Sequence, residues 1–215
     1  FYSQKSLIYF PNRQDFYRCQ KFNDSEKINL NGTRFYYKNI SDSLIVFYHG
    51  NAGSACDRHF LKDKLESYGL SYLFVEYSGY SNDGKKPSKN ALLKDVENVN
   101  SFVKGLRYNT LILAGESLGT GLASYHSTLI DSDKLLLVSP YTSITDIARR
   151  TYFFYPVSLL ITENFDNREW LKEFDNDILI IYGEIDEIIP PQVSIKLYGS
   201  LKSESKKIAV IKGAY

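Results

Sequence analysis

The sequence predicts an α/β fold: a mostly parallel central sheet with helices on both faces and an antiparallel hairpin at its N-terminal edge. Three observations carry this. From residue 43 onward, short apolar runs alternate with stretches of helical periodicity. Those runs are apolar throughout rather than alternating, as strands covered on both faces are. Ahead of them, two strand-like runs flank Asn31-Gly32, the pair favoured in a type I′ hairpin turn. The chain has 215 residues and reads as a single domain spanning 1–215, large enough for a substantial core.

Residues 1–25 are aromatic and irregular, and Leu7-Ile8-Tyr9-Phe10 before Pro11 reads as a short strand or a docked arm. Residues 27–30 and 33–37 form the hairpin. An unbroken apolar strand covers 43–48 and runs into His49-Gly50-Asn51-Ala52-Gly53. A helix is expected over 57–68, closed by Gly69, then a buried strand over 71–77. Pro87-Ser88 opens a long helix whose Leu92, Leu93, Val96, Val99, Phe102, Val103 and Leu106 recur at helical spacing. A central strand over 110–114 leads through Gly115-Glu116-Ser117-Leu118-Gly119 into a helix to about Ile130. Strands follow at 134–138, 177–182 and 207–211, with a helix at 191–201. Residues 141–172 break the rhythm and carry apolar clusters at 152–156 and 159–161, so they read as a lid or pocket-wall insertion.

Composition excludes several classes of function. The net charge is +1 with no basic block, so nothing points to nucleic acid. No apolar run is long enough to span a membrane. His49, His59 and His126 are too scattered for a metal cluster, and Gly115, Gly119 and Gly121 fit neither a dinucleotide fingerprint nor a P-loop. No cofactor or metal is implied. Cys19 and Cys56 are the only cysteines and read as two reduced thiols. The 18 Tyr and 13 Phe suit either a wide apolar pocket or a Tyr-rich core. The chain has no methionine, even at position 1, so its N-terminus reads as trimmed, leaving room for an anchor upstream.

The chemistry concentrates at strand ends, where sites form in such sheets. Gly115-Glu116-Ser117-Leu118-Gly119 between a strand and a helix has the pattern of a nucleophile elbow. A serine hydroxyl attacks only when a base takes its proton, and the oxyanion that forms needs aimed backbone amides. Ser117 is the candidate nucleophile, with Leu118 N–H and Asn51 N–H as the candidate oxyanion donors. Asp186, after the penultimate strand, is the candidate acid that orients the base, with Glu187 beside it as an alternative. His49 reads as a brace for its loop, and His59 and His126 as surface or packing residues. Glu116 reads as a substrate-loop or structural residue.

These segments resemble the Bem46-like branch of the α/β-hydrolase superfamily, also described as serine aminopeptidase-like or dienelactone hydrolase-like. The resemblance runs through His49-Gly50-Asn51-Ala52-Gly53, Gly79-Tyr80-Ser81, the elbow, Ser139-Pro140-Tyr141 and Gly183-Glu184-Ile185-Asp186-Glu187, in order and spacing. Ser81 departs from the family's Gly-Tyr-Gly. The resemblance implies the α/β-hydrolase fold and a serine hydrolase cleaving a carboxylic ester or thioester of a small-molecule or acylated substrate through an acyl-enzyme on Ser117. The alternatives are a peptidase of the serine aminopeptidase type and a non-catalytic binding scaffold. It implies a cytoplasmic protein, or one attached to the cytoplasmic side of a membrane through an N-terminal segment. It also implies a base in a Gly-x-x-His segment after the last strand. Gly213-Ala214-Tyr215 matches that segment up to the histidine, so His is expected immediately after Tyr215.

Overall fold

A computed structural model of the chain describes residues 4–151, 154 and 160–214. Its strands are β1 (Phe10–Pro11), β2 (Glu26–Leu30), β3 (Thr33–Lys38), β4 (Ser43–Tyr48), β5 (Ala52–Gly53), β6 (Ser71–Glu76), β7 (Thr110–Glu116), β8 (Lys134–Val138), β9 (Asp177–Gly183) and β10 (Lys206–Ile211). Its helices are α1 (Gln4–Ile8), α2 (His59–Ser67), α3 (Lys89–Val103), α4 (Leu118–His126), α5 (Ile144–Thr151), α6 (Asn167–Trp170) and α7 (Pro191–Ser200).

Among the described residues, eight strands form one sheet in the order β10-β9-β8-β7-β4-β6-β3-β2. Strands β10 through β6 pair in parallel, and β3 and β2 add antiparallel at one edge. The hairpin forms as expected: Asn31 and Gly32 both take positive φ, at 53° and 84°, and Leu30 faces Thr33. The order reverses at β4, which has β6 on one side and β7 on the other. The loops after β4 and β7 therefore leave adjacent strand ends at a topological switch point, where such sheets open a crevice.

Alternation along the strands divides the core. Leu44, Val46 and Tyr48 of β4 face one layer with Leu111, Leu113, Leu135 and Leu137. Against that face pack Leu92, Val96, Val99 and Val103 of α3, and Leu122 of α4. Ser88 caps α3 by accepting from Ala91 N at 3.2 Å. On the other face, Ile45, Phe47, Tyr72 and Phe74 meet Phe16, Phe22 and Tyr36. Tyr36 lies stacked between Phe16 and Phe22, with ring centroids 4.4 and 4.2 Å away. The abundant aromatics are thus largely core, and the irregular N-terminal stretch is the layer that covers this face.

Four expectations need correction. Residues 4–8 are a short helix, α1, and only Phe10–Pro11 are extended, so of the two readings of this stretch the docked arm holds and the strand over 7–10 does not. The five-residue helix is fixed by docking: Gln4 Nε2 donates to Leu160 O, and Gln4 Oε1 accepts from Thr162 N. The helix after the elbow ends at His126 rather than near Ile130. There the Ser127 and Thr128 hydroxyls turn back to the Ser124 and Tyr125 carbonyls and compete with further helix. Cys19 and Cys56 are joined in a disulfide, with Cα atoms 6.1 Å apart, and are not reduced thiols. Folding the N-terminal stretch over the sheet creates that proximity across 37 positions, which counting cysteines cannot reveal. The helix expected over 57–68 begins earlier, as a 3₁₀ turn at Ala55–Arg58 leading into α2.

Candidate active site

The elbow is built by steric exclusion. Ser117 sits between β7 and α4 at φ 49° and ψ −116°, a left-handed backbone that a non-glycine residue adopts at a cost. Its N–H is held by Val138 O at 2.8 Å, and its carbonyl accepts from Thr120 N and Thr120 Oγ1 at 2.9 and 2.6 Å. A Cβ on Gly115 would lie 2.5 Å from the Gly119 carbonyl carbon and 2.7 Å from Thr120 Cα. A Cβ on Gly119 would lie 2.6 Å from both His49 O and the Tyr48 carbonyl carbon. Both glycines therefore allow α4 to pack onto β4 and β7 at backbone distance. Leu118 opens α4, where the first amides lack intrahelical partners and the helix dipole favours negative charge.

The loop after β4 is held from beneath. His49 is fully buried, its Nδ1 lies 2.7 Å from Gly50 O, and its ring stacks on Tyr77 at 4.0 Å. The Tyr77 hydroxyl donates to His49 O at 2.6 Å. Glu76, also fully buried, accepts from Ala55 N at 3.1 Å, while its other oxygen lies 3.4 Å from His49 Nε2. His49 is thus a brace, as its sequence context suggested. The Asn51 side chain is committed as well, its Oδ1 accepting from Phe10 N at 3.1 Å and Tyr80 OH at 3.0 Å. Parallel pairing of β1 with β5 fixes the same loop. Ser81 takes a positive φ of 44°, a conformation that favours glycine. Its N–H bonds to Asn12 O and its carbonyl accepts from Arg34.

Asp186 follows β9 and is 9% exposed. Its Oδ1 accepts from Ile188 N and Ile189 N at 3.0 and 2.7 Å, which fixes the carboxylate. The neighbouring Glu187 is exposed, which favours Asp186 as the orienting acid. The chain beyond β10 turns back alongside this loop: Ile185 N donates to Ala214 O at 3.0 Å and Gly213 N to Glu184 Oε2 at 3.0 Å. Tyr215 lies outside the described residues.

The remaining histidines have partners other than Ser117. His126 is buried at the far end of α4, nine residues or about 13 Å of helix from Ser117. Its Nδ1 lies 2.9 Å from Tyr48 OH, and burial pushes it down to about 3. His59 contacts the Cys56 carbonyl at 3.3 Å. In the 141–172 segment, residues 152, 153 and 155–159 lie outside the described residues. Both flanks pack inward: Tyr141 and Phe165 are buried, and a Cβ on Gly121 would reach 2.5 Å from Tyr141 OH and 3.0 Å from Phe165 Cβ.

Sequence reasoning missed one pairing at the elbow. Glu116 accepts from Arg58 through both carboxylate oxygens, at 2.7 Å each. The partners stand 58 positions apart, so no local spacing announces them. No metal-holding group of three or more His, Cys, Asp or Glu occurs among the described residues, and no described helix is long and apolar enough to cross a membrane.

Comparison with known proteins gives consistent likenesses, although no family model matches the chain. The protein Rv2307c of Mycobacterium tuberculosis, called uncharacterized, is 27% identical over 176 residues, covering 80% of this chain and 62% of that protein. The lysophosphatidylserine lipase ABHD12 of Macaca fascicularis is 27% identical over 179 residues, covering 74% of this chain and 45% of that protein. The chain thus spans about half to three-fifths of these relatives. Among solved structures, the ferulic acid complex of Est1E from Butyrivibrio proteoclasticus superposes with a TM-score of 0.70 at 16% identity, covering 88% of this chain and 90% of that one.

Proposed function

We propose that the chain is a serine hydrolase of the α/β-hydrolase superfamily, in its Bem46-like branch, that cleaves carboxylic esters or thioesters through an acyl-enzyme on Ser117. The observation that carries this is the backbone at Ser117. A left-handed serine, wedged between two glycines that admit no Cβ, leads directly into the first amides of α4. Strain of this kind persists where the surrounding structure over-determines it, and it clusters at active sites.

The proposed reaction runs in two halves. Ser117 Oγ attacks the acyl carbon as a base removes its proton, and the carbonyl oxygen becomes an oxyanion facing Leu118 N–H and Asn51 N–H. The tetrahedral species expels the alcohol or thiol, which leaves with the proton held by the base. Water then attacks the acyl-serine by the reverse sequence, releasing the acid and regenerating Ser117. Asp186, fixed by two backbone amides, orients the base. We assign the base to a histidine just past Tyr215. Support comes from Gly213 and Ala214, whose backbone is hydrogen-bonded to Glu184 and Ile185, in the loop that leads to Asp186. The relative named as a lysophosphatidylserine lipase makes lipid esters the first substrates to assay.

The test is labelling by a fluorophosphonate probe. The full-length protein should label and its Ser117→Ala variant should not. Equal labelling of both, or none of either, would reject the assignment and favour a non-catalytic scaffold. A series of p-nitrophenyl esters and lysophospholipids against amino-acid amides separates esterase from peptidase.

A further inference from the structure

We propose that Arg58 and Glu116 form a positioning pair that sets the spacing between the two halves of the oxyanion hole. This rests on the reading of Ser117 as nucleophile. One half of the hole, Leu118 N–H, belongs to the elbow. The other, Asn51 N–H, belongs to the loop after β4. Each half has its own internal supports, but turnover needs a fixed distance between them.

The pair spans that gap. Glu116 is the last residue of β7 and directly precedes Ser117. Arg58 closes the 3₁₀ turn that follows the β4 loop. The two meet through both guanidinium and both carboxylate positions, at 2.7 Å for Nε to Oε2 and 2.7 Å for the second bond. This fork fixes angle as well as distance, which a single contact would not. The contact lies close to the loop backbone. A Cβ on Gly50 would lie 2.7 Å from Glu116 Oε1 and 3.4 Å from the Arg58 guanidinium. A Cβ on Gly53 would also lie 3.4 Å from that guanidinium, and an Arg58 nitrogen lies 3.4 Å from Ala52 O. Arg58 therefore bridges both glycines that flank Asn51, and Glu116 ties it to the elbow. The side chains are only 17% and 30% exposed, unlike the freely solvated pairs on the surface. The paired carboxylate holds the Arg58 guanidinium above its ordinary value, so the cation persists throughout the working pH range.

The experiment uses the full-length protein and four variants: Glu116→Gln, Arg58→Lys, the exchange Arg58→Glu with Glu116→Arg, and Ser117→Ala as control. Steady-state hydrolysis of a p-nitrophenyl ester is measured beside affinity for a trifluoromethyl ketone, whose hemiketal oxyanion occupies the hole. Glu116→Gln and Arg58→Lys should each lower kcat 10- to 100-fold with KM within about 3-fold. Ketone affinity should fall by the same factor as kcat/KM while the melting temperature holds. The exchange variant should recover part of the loss. Arg58→Lys keeps the charge and stem, so it decides the matter should Glu116→Gln fail to fold. Unchanged kcat and ketone affinity in a folded Arg58→Lys variant, with Ser117→Ala inactive, would overturn the pair and leave the nucleophile standing. A rise in KM at constant kcat would make the pair a substrate contact and overturn positioning. Full activity in Ser117→Ala would instead remove the nucleophile on which the proposal rests.

Discussion

Reducing the Cys19–Cys56 disulfide should cost the fold about 4 kcal/mol. The bond closes a loop of 37 positions, and loop-closure entropy of a chain that long gives this value at 25 °C. The term acts on the unfolded ensemble, so reduction lowers stability without needing to change the native contacts. The native surroundings favour that separation of effects. Both cysteines lie among Phe16, Phe22 and Tyr36, which bury the same face of the sheet with or without the covalent bond. For a chain of this size, 4 kcal/mol corresponds to a fall in melting temperature of about 8–16 °C. With a urea slope of about 3 kcal/mol/M, the midpoint falls by about 1 M. The measurement is urea unfolding of the oxidised protein, the dithiothreitol-treated protein and a Cys19→Ser/Cys56→Ser variant, with thiols counted by alkylation and mass spectrometry. Oxidised and reduced forms unfolding within about 0.3 M urea of each other would refute the reasoning. So would two freely alkylated thiols in protein prepared under oxidising conditions.

Two further outcomes follow from buried groups. His126 titrates near 6.5 in an unfolded chain but is pushed down to about 3 in the fold by burial. Between those values the unfolded state binds a proton that the native state refuses. Stability from this residue is therefore fully present above pH 6.5 and lost as pH falls toward 3, by as much as about 5 kcal/mol. Unfolding free energy measured against pH should be flatter in His126→Gln across that window, and identical slopes would count against the assignment. Gly119→Ala should destabilise by about 1–3 kcal/mol, because its Cβ meets the Tyr48 and His49 backbone, and should lower turnover by displacing the first turn of α4. A variant with wild-type urea midpoint and kcat would contradict the close-packing account.

The parts of the fold that local chemistry dictates were legible in the sequence. Asn31-Gly32 specifies its turn because both residues must take positive φ, and they do. The apolar runs at β4, β6 and β7 mark strands because both covered sides take apolar residues, and the polar ones, such as Ser71 and Glu76, fall at strand ends where loop groups bond them. Ser88 announces the start of α3, and Gly115 and Gly119 announce the elbow. What escaped is what only tertiary proximity creates. Nothing local to Cys19 points to Cys56. Arg58 and Glu116 meet because two strand ends converge, and α1 exists because Gln4 finds partners at Leu160 and Thr162. Even the aromatic excess was ambiguous until the N-terminal stretch was seen lying over Tyr36, Tyr72 and Phe74.

The parallel pairing of Phe10–Pro11 with Ala52–Gly53 carries a kinetic implication. Among the described residues the arm is held by local contacts: this two-residue ladder, the Asn12 and Phe10 amides, the Asn12 side chain on Asp57, Gln4 on Leu160 and Thr162, and Tyr9 OH on Glu163. So small a unit opens at a lower free energy than the eight-stranded sheet and exchanges its amide protons sooner. Each such opening strips Asn51 of its partner at Phe10 and frees the loop after β4, while the sheet stays folded. Far-UV circular dichroism would register almost nothing, and hydrogen exchange at Phe10 and Asn12 would follow the event directly. Mild warming or a protease that clips ahead of Asn12 could therefore extinguish turnover in molecules that every global probe still counts as native.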